Sequence, residues 1–202
     1  MTSLGKKENT AMNRKLSIGA MILLASIALS GCTFNFGSDG SNNGSGMMGN
    51  QGGDTEFSAS DIMFAQMMIP HHQQAVDLGT LAETRAFSPE VKELAAQIKA
   101  EQSPEINQMK SWLESANAPM TMDHDMGMGG MLSDSEMQEL ENSSGAEFDQ
   151  LFLKAMIAHH QGAIEMAQMV TGSNNAEAQA LGKAIIDSQT EQIKYMESLL
   201  KK

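Results

Sequence analysis

The sequence predicts an all-α protein: a four-helix bundle assembled from two repeated helical hairpins. Three observations carry this prediction. The phrase MIPHHQQA at residues 68–75 returns as MIAHHQGA at 156–163. Apolar residues beyond residue 57 recur at helical spacing. Helix-capping residues precede those runs, whereas strand signals are scarce.

The first helix is expected to start at Ser58–Asp61, with Ile62, Ala65, Ile69, Val76, Gly79 and Leu81 as its apolar series. Ser88-Pro89-Glu90 opens the second: a capping residue, proline at the first helical position, then an acid in the first turn. That helix carries Val91, Leu94, Ile98, Ile106, Met109 and Leu113. A brief helix at 133–141 begins with a capping box, Ser133 and Glu136. The third long helix is expected after Ser144, with Ser144 and Glu147 as its capping box, running to about Thr171 and stopping at Gly172. The fourth follows Asn174-Asn175 and carries Leu181, Ile185, Ile193, Met196 and Leu200. Pro70 and Pro104 interrupt helical runs at a cost of about 3 kcal/mol each. The apolar period continues across both, which predicts kinks and not ends.

The repeat is wider than the histidine phrase. Phe64, Met68, Ile69, His71, His72, Gln73 and Ala75 recur as Phe152, Met156, Ile157, His159, His160, Gln161 and Ala163. The second helices align as well, Leu94, Ile98, Gln102, Ile106, Met109 and Leu113 matching Leu181, Ile185, Gln189, Ile193, Met196 and Leu200. Two amphipathic hairpins, neither able to bury its apolar face alone, form a bundle by packing together, with residues 117–143 as the crossover. With aromatic content low and 19 methionines present, Leu, Ile, Ala and Met are expected to fill the core.

The N-terminal region reads as targeting sequence. Arg14 and Lys15 precede an apolar run from Leu16 to Leu29 and then Leu29-Ser30-Gly31-Cys32. That order is a secretory signal, and its end is similar to a bacterial lipobox, in which Cys32 becomes the lipidated first residue. Residues 1–31 are read as a signal peptide and 32–57 as a Gly/Ser/Asn-rich tether. Residues 58–202 are the bundle domain. The protein is thus expected to be extracytoplasmic and tethered to a membrane through lipid alone. Cys32 is the single cysteine, so neither an intramolecular disulfide nor a thiolate metal site can form. Without residues 1–31 the chain keeps nine basic and 24 acidic residues, a net charge of −15. Such a chain repels nucleic acid phosphates and anionic lipid, and tolerates cationic partners such as metal ions.

Four of the five histidines lie in the two repeated pairs. Met67 and His71 are spaced i, i+4, as are Met68 and His72, and Met156 and His160; Ala155 stands where a methionine would precede His159. A thioether and an imidazole one turn apart form half of a soft-metal site, suited to Cu(I) or Ag(I), while imidazole also accepts Cu(II) or Zn(II). The competing reading makes the methionines core filler and the histidines buried groups satisfied by Gln73, Gln161, Asp77 or Glu165. The crossover adds MTMDHDMGMGGM, with Met120, Met122, His124, Met126 and Met128 at every second position. No helix core uses that spacing, and a mobile run of soft donors could wrap Cu(I); the alternative is a low-complexity linker.

The residues three before the histidines are Met68, Ile69, Thr121, Met156 and Ile157, so the Glu-x-x-His motif of di-iron bundles is absent. No zinc-protease, nucleophile-elbow or phosphate-loop motif occurs, and no catalytic nucleophile stands out.

FAQMMIPHHQQAVDLG and FLKAMIAHHQGAIEMAQ resemble the hallmark of the domain of unknown function 305 family, which includes CopM-like copper-binding proteins secreted by bacteria. The resemblance covers about residues 58–201. It implies a ferritin-like bundle, an extracytoplasmic location and copper binding through Met68, His71, His72, Met156, His159 and His160. The Met-rich crossover does not align to the family pattern. The expectation is therefore a copper-binding protein, Cu(I) favoured, that buffers, sequesters or delivers the ion, with a copper-transfer protein as a partner and no enzymatic activity. A redox enzyme on the same bundle and a metal-free interaction module are the competing classes.

Overall fold

The computed structural model describes residues 57–122 and 129–201. The expected Cys32 anchor, the signal, nearly all of the tether, His124, Met126 and Met128 lie outside them. The helices are α1 (Ala59–Arg85), α2 (Pro89–Ser115), α3 (Asp134–Asn142), α4 (Gly145–Ala167) and α5 (Ala176–Leu199), with a 3₁₀ turn at Gln168–Val170. Among the described residues there is no strand, only one isolated bridge between Ala86 and Gly145. No helix among them is long and apolar enough to cross a membrane.

Most capping signals act as expected. Ser58 and Ser133 close reciprocal boxes with Asp61 and Glu136. Ser88 accepts from the amides of Glu90 and Val91, and Asn175 from those of Glu177 and Ala178. Ser144 does not cap: its φ is −160° and its side chain bonds nothing at the helix start. Gly145 adopts φ +69°, so the chain enters α4 by a left-handed step that a capping box does not use. Both α1 and α2 run through their prolines as continuous helices.

α1 packs along α2, and α4 along α5; the hairpins meet chiefly through α1 and α4. Two apolar clusters fill the interior. One joins Leu78, Leu94 and Ile98 of the first hairpin to Phe152, Met156 and Met196 of the second. The other joins Phe64, Met68, Met109 and Trp112 to Met166 and Ile185. Each takes the start of one histidine-bearing helix and the end of the other, so α1 and α4 run antiparallel and the crossover spans the length of the bundle. This is the ferritin-like layout. Among the described aromatics Phe87 and Tyr195 are exposed, while Phe64, Phe148 and Phe152 are fully buried. Each such side chain contributes about 1.5–3 kcal/mol.

The buried face of α1 is the expected one only in part: Ala65 and Gly79 are buried as expected, the other four residues of the series are not. Ile62, Ile69, Val76 and Leu81 are only half-buried, while Phe64, Ala65, Met68, His71, His72, Ala75, Leu78, Gly79 and Ala82 point inward. Because the histidines are polar, a hydropathy period passes over the stripe they occupy and selects its neighbour.

Candidate metal centre

His71 and His72 sit mid-way along α1, His159 and His160 mid-way along α4, and all four are fully buried. Adjacent helical residues diverge by about 100°, so the members of each pair meet different neighbours. The rings of His71 and His159 stack across the α1–α4 contact, with centroids 3.7 Å apart and planes tilted by 34°. His72 and His160 turn instead toward the second helix of their own hairpin. His72 Nε2 lies 2.8 Å from Glu105 Oε2 on α2. His160 Nε2 lies 2.7 Å from Gln192 Oε1 on α5. These acceptors come from 33 and 32 residues away, and they replace the expected partners: Gln73 is exposed and spends its amide on Asp77.

The inner histidines also face oxygen. His159 Nε2 is 2.9 Å from the His71 carbonyl, and His71 Nε2 is 3.2 Å from the Gly129 carbonyl. Carbonyl and carboxylate oxygens accept, so in the neutral imidazole Nε2 carries the proton and donates it. Gln192 is oriented for this role because its own Nε2 donates to Glu101 Oε2 at 2.8 Å. The same tautomer leaves a lone pair on Nδ1, and none of the four Nδ1 atoms has a hydrogen-bond partner.

Burial, followed by repulsion from His72, lowers the His71 pKa to about 3. Burial also lowers that of His160 to about 4, against a raising hydrogen bond to Gln192. His159 is held well below the usual histidine range, first by burial and then by His71. At neutral pH these three are uncharged donors. Gln102 and Gln189, equivalent in the two repeats and one turn before Glu105 and Gln192, are also buried with unpartnered side-chain atoms.

The methionines divide. Met68, one turn before His72, is buried in the cluster with Phe64; Met156, one turn before His160, is buried in the cluster with Phe152. The two methionines therefore belong to apolar clusters on opposite sides of the histidine layer. Met67 is half-buried against the Met68 cluster, Met120 is exposed and Met122 half-buried. Among the described residues, no group of three or more His, Cys, Asp or Glu side chains converges on one point. Histidines alone thus do not close a ligand set, and thioethers are the nearest additional donors in sequence.

The crossover is fastened on both sides of its methionine run. Gln66 donates to the Pro119 carbonyl at 2.7 Å. Gln74, two turns further along α1, clamps both the amide (2.8 Å) and the carbonyl (2.9 Å) of Leu132. Between these anchors the strap at 129–132 presses on α4: a Cβ on Gly162 would lie 1.7 Å from the Gly129 oxygen, and one on Gly130 would lie 2.3 Å from the Ala158 oxygen. The strap supplies the carbonyl that receives the His71 proton.

The profile of the family described as Domain of unknown function (DUF305) matches residues 61–200. The chain belongs to the DUF305 family. Among solved structures it is similar to a DUF305 protein from Streptomyces coelicolor, at 30% identity and TM-score 0.67, over 73% of this chain and 93% of the other. A DUF305 fragment from Deinococcus radiodurans is 29% identical with TM-score 0.67, over 72% and 98%. CopM in its Cu(II)-bound form is 34% identical with TM-score 0.61, over 70% and 95%, and CopM structures with Cu(I) and with Ag are also similar. Among curated protein sequences there is no significant match. The sequence resemblance to DUF305 and the all-α bundle are thereby borne out. Glu105, Gln192, Glu101 and the Gly129 carbonyl are the site groups that the sequence reading missed. The repeat alignment that pairs Gln102 with Gln189, carried three residues further, pairs Glu105 with Gln192.

Proposed function

We propose that this DUF305 protein is an extracytoplasmic copper-binding protein that buffers, sequesters or hands on the ion, Cu(I) above all, and is not an enzyme. One observation carries the reading: four buried imidazoles whose Nε2 protons are committed to oxygen acceptors and whose Nδ1 lone pairs are unpartnered. An orphaned buried acceptor costs about 1–3 kcal/mol, which a bound ion relieves. Ligating histidines characteristically donate their other ring N–H to a carboxylate or carbonyl. Met68 and Met156 add soft donors suited to a monovalent ion. The similarity to CopM, crystallised with Cu(II), Cu(I) and Ag, supports the choice of metal.

In this reading Met120, Met122, His124, Met126 and Met128 capture copper before it reaches the histidines; Pro119 and Leu132, on either side of them in sequence, are bonded to Gln66 and Gln74 of α1. Lipidation at Cys32 tethers the bundle after removal of residues 1–31, in keeping with the naming of the S. coelicolor relative as a candidate secreted protein. A copper-transfer protein is the expected recipient.

Titration of residues 33–202 with Cu(I) against a competing chelator, under reducing conditions, tests the proposal. The expected result is stoichiometric binding that is lost when His71, His72, His159 and His160 are all changed to Ala, and weakened when residues 120–131 are removed. Failure of the unaltered protein to compete with the chelator would leave the histidines as core residues and end the copper reading.

A further inference from the structure

Glu105 and Gln192 occupy equivalent places in the two repeats and receive equivalent protons. The contacts match in length, 2.8 Å from His72 and 2.7 Å from His160, so both acceptors fix ring orientation alike. They differ in charge. The Glu105 side chain is 18% exposed and its partner His72 is fully buried, so solvent screens this carboxylate only in part. The counterpart carboxylate behind His160 is Glu101, one amide further away through Gln192 and shared with Gln97 Nε2 at 2.8 Å. Glu101 and Glu105 lie one turn apart on α2, so one helix supplies both acids, one directly and one by relay.

Resting on the copper reading above, we propose that Glu105 is a specificity-determining residue: its carboxylate makes the His72 side of the layer favour the more highly charged ion, Cu(II) over Cu(I) or Ag(I), relative to the His160 side. A carboxylate receiving the far N–H of a ligating imidazole makes that ligand more basic. It also attracts the ion in proportion to the ion's charge. A purely orienting acceptor does neither selectively.

The test is competition titration of the full chain with Cu(II), Cu(I) and Ag(I), comparing the unaltered protein with Glu105→Gln, which keeps an acceptor and removes the charge. Changing a group that holds the far N–H of a ligating imidazole costs roughly 10- to 100-fold in affinity. The expected Cu(II) loss is of that size, and the loss for Cu(I) and Ag(I) is about its square root, three- to tenfold, because the attraction scales with charge. Each tenfold change in the Cu(II)/Cu(I) ratio raises the potential by about 59 mV. Glu105→Asp, which keeps the charge but withdraws it, should lose the same way to a smaller extent, Cu(II) more than Cu(I) or Ag(I); if Glu105→Gln fails to fold, equal losses for all three ions in Glu105→Asp would overturn the assignment. Equal losses for all ions in Glu105→Gln, or no loss, would overturn the assignment and leave Glu105 an orienting residue. If the unaltered chain binds no ion, the copper reading falls first, and this inference with it.

Discussion

The two hairpins place the same Met-Ile-x-His-His phrase at the same depth, then surround it differently. In the first, His72 meets a carboxylate; in the second, His160 meets an amide. Gln74 of α1 grips the strap, whereas its counterpart Gly162 on α4 makes room for it. Asp149 caps the α1–α2 turn by accepting from the amides of Phe87 and Ser88, while its counterpart Asp61 is spent on the local cap at Ser58. What repeats is the placement of imidazoles and core side chains. What differs is charge and covering, so the site is symmetric in position and asymmetric in chemistry.

Acid is the strongest way to break the bundle, and it should strike both halves. His71 and His160 stay neutral in the fold down to about pH 3 and 4, whereas an unfolded histidine takes up its proton near pH 6.5. Between those limits the unfolded state binds more protons, so stability falls as pH falls, by about 1.4 kcal/mol per pH unit for each such histidine. Denaturant midpoints of the metal-free protein at pH 7, 6, 5 and 4 should decline steadily, and the slope should shrink in a His71→Asn/His159→Asn variant. A flat profile would contradict the buried neutral layer.

The strap gives a smaller, one-sided effect. Gly162→Ala drives a methyl into the Gly129 backbone and should cost about 1–3 kcal/mol. Gln74→Ala removes two hydrogen bonds from the other side and should cost about 1–2 kcal/mol. Because both hold one segment, the double variant should lose less than the sum of the two, as read from thermal melts; strict additivity would mean they act independently.

The least effect separates two serines. Ser58→Ala removes a working cap, at about 1 kcal/mol. Ser144→Ala removes none, and its melting temperature should match the parent's.

The hairpins were legible because their signals are local: a capping serine, a proline at the first helical position and a phrase repeated nearly unchanged. Ser144 misled because the left-handed Gly145 is invisible to a motif that considers only residue types. The inward stripe of α1 was misjudged for a related reason. Its centre is His71 and His72, which a hydropathy count assigns to solvent. The histidine partners were hardest to see, since Glu105 and Gln192 approach from other helices while Gln73 and Asp77 are merely close in sequence. The sequence thus identified the four imidazoles, and tertiary packing chose what holds them.

The polar layer also acts as an alignment key. It lies between two apolar clusters built from both hairpins. Sliding α1 along α4 by one helical turn would shift the rings by about 5.4 Å. They would leave their oxygen acceptors and enter apolar surroundings, where buried polar groups without partners are costly. A bundle apolar from end to end would meet no such obstacle and could settle in several registers. Here the histidines permit one, so the groups proposed to hold an ion also tell the helices where to stop.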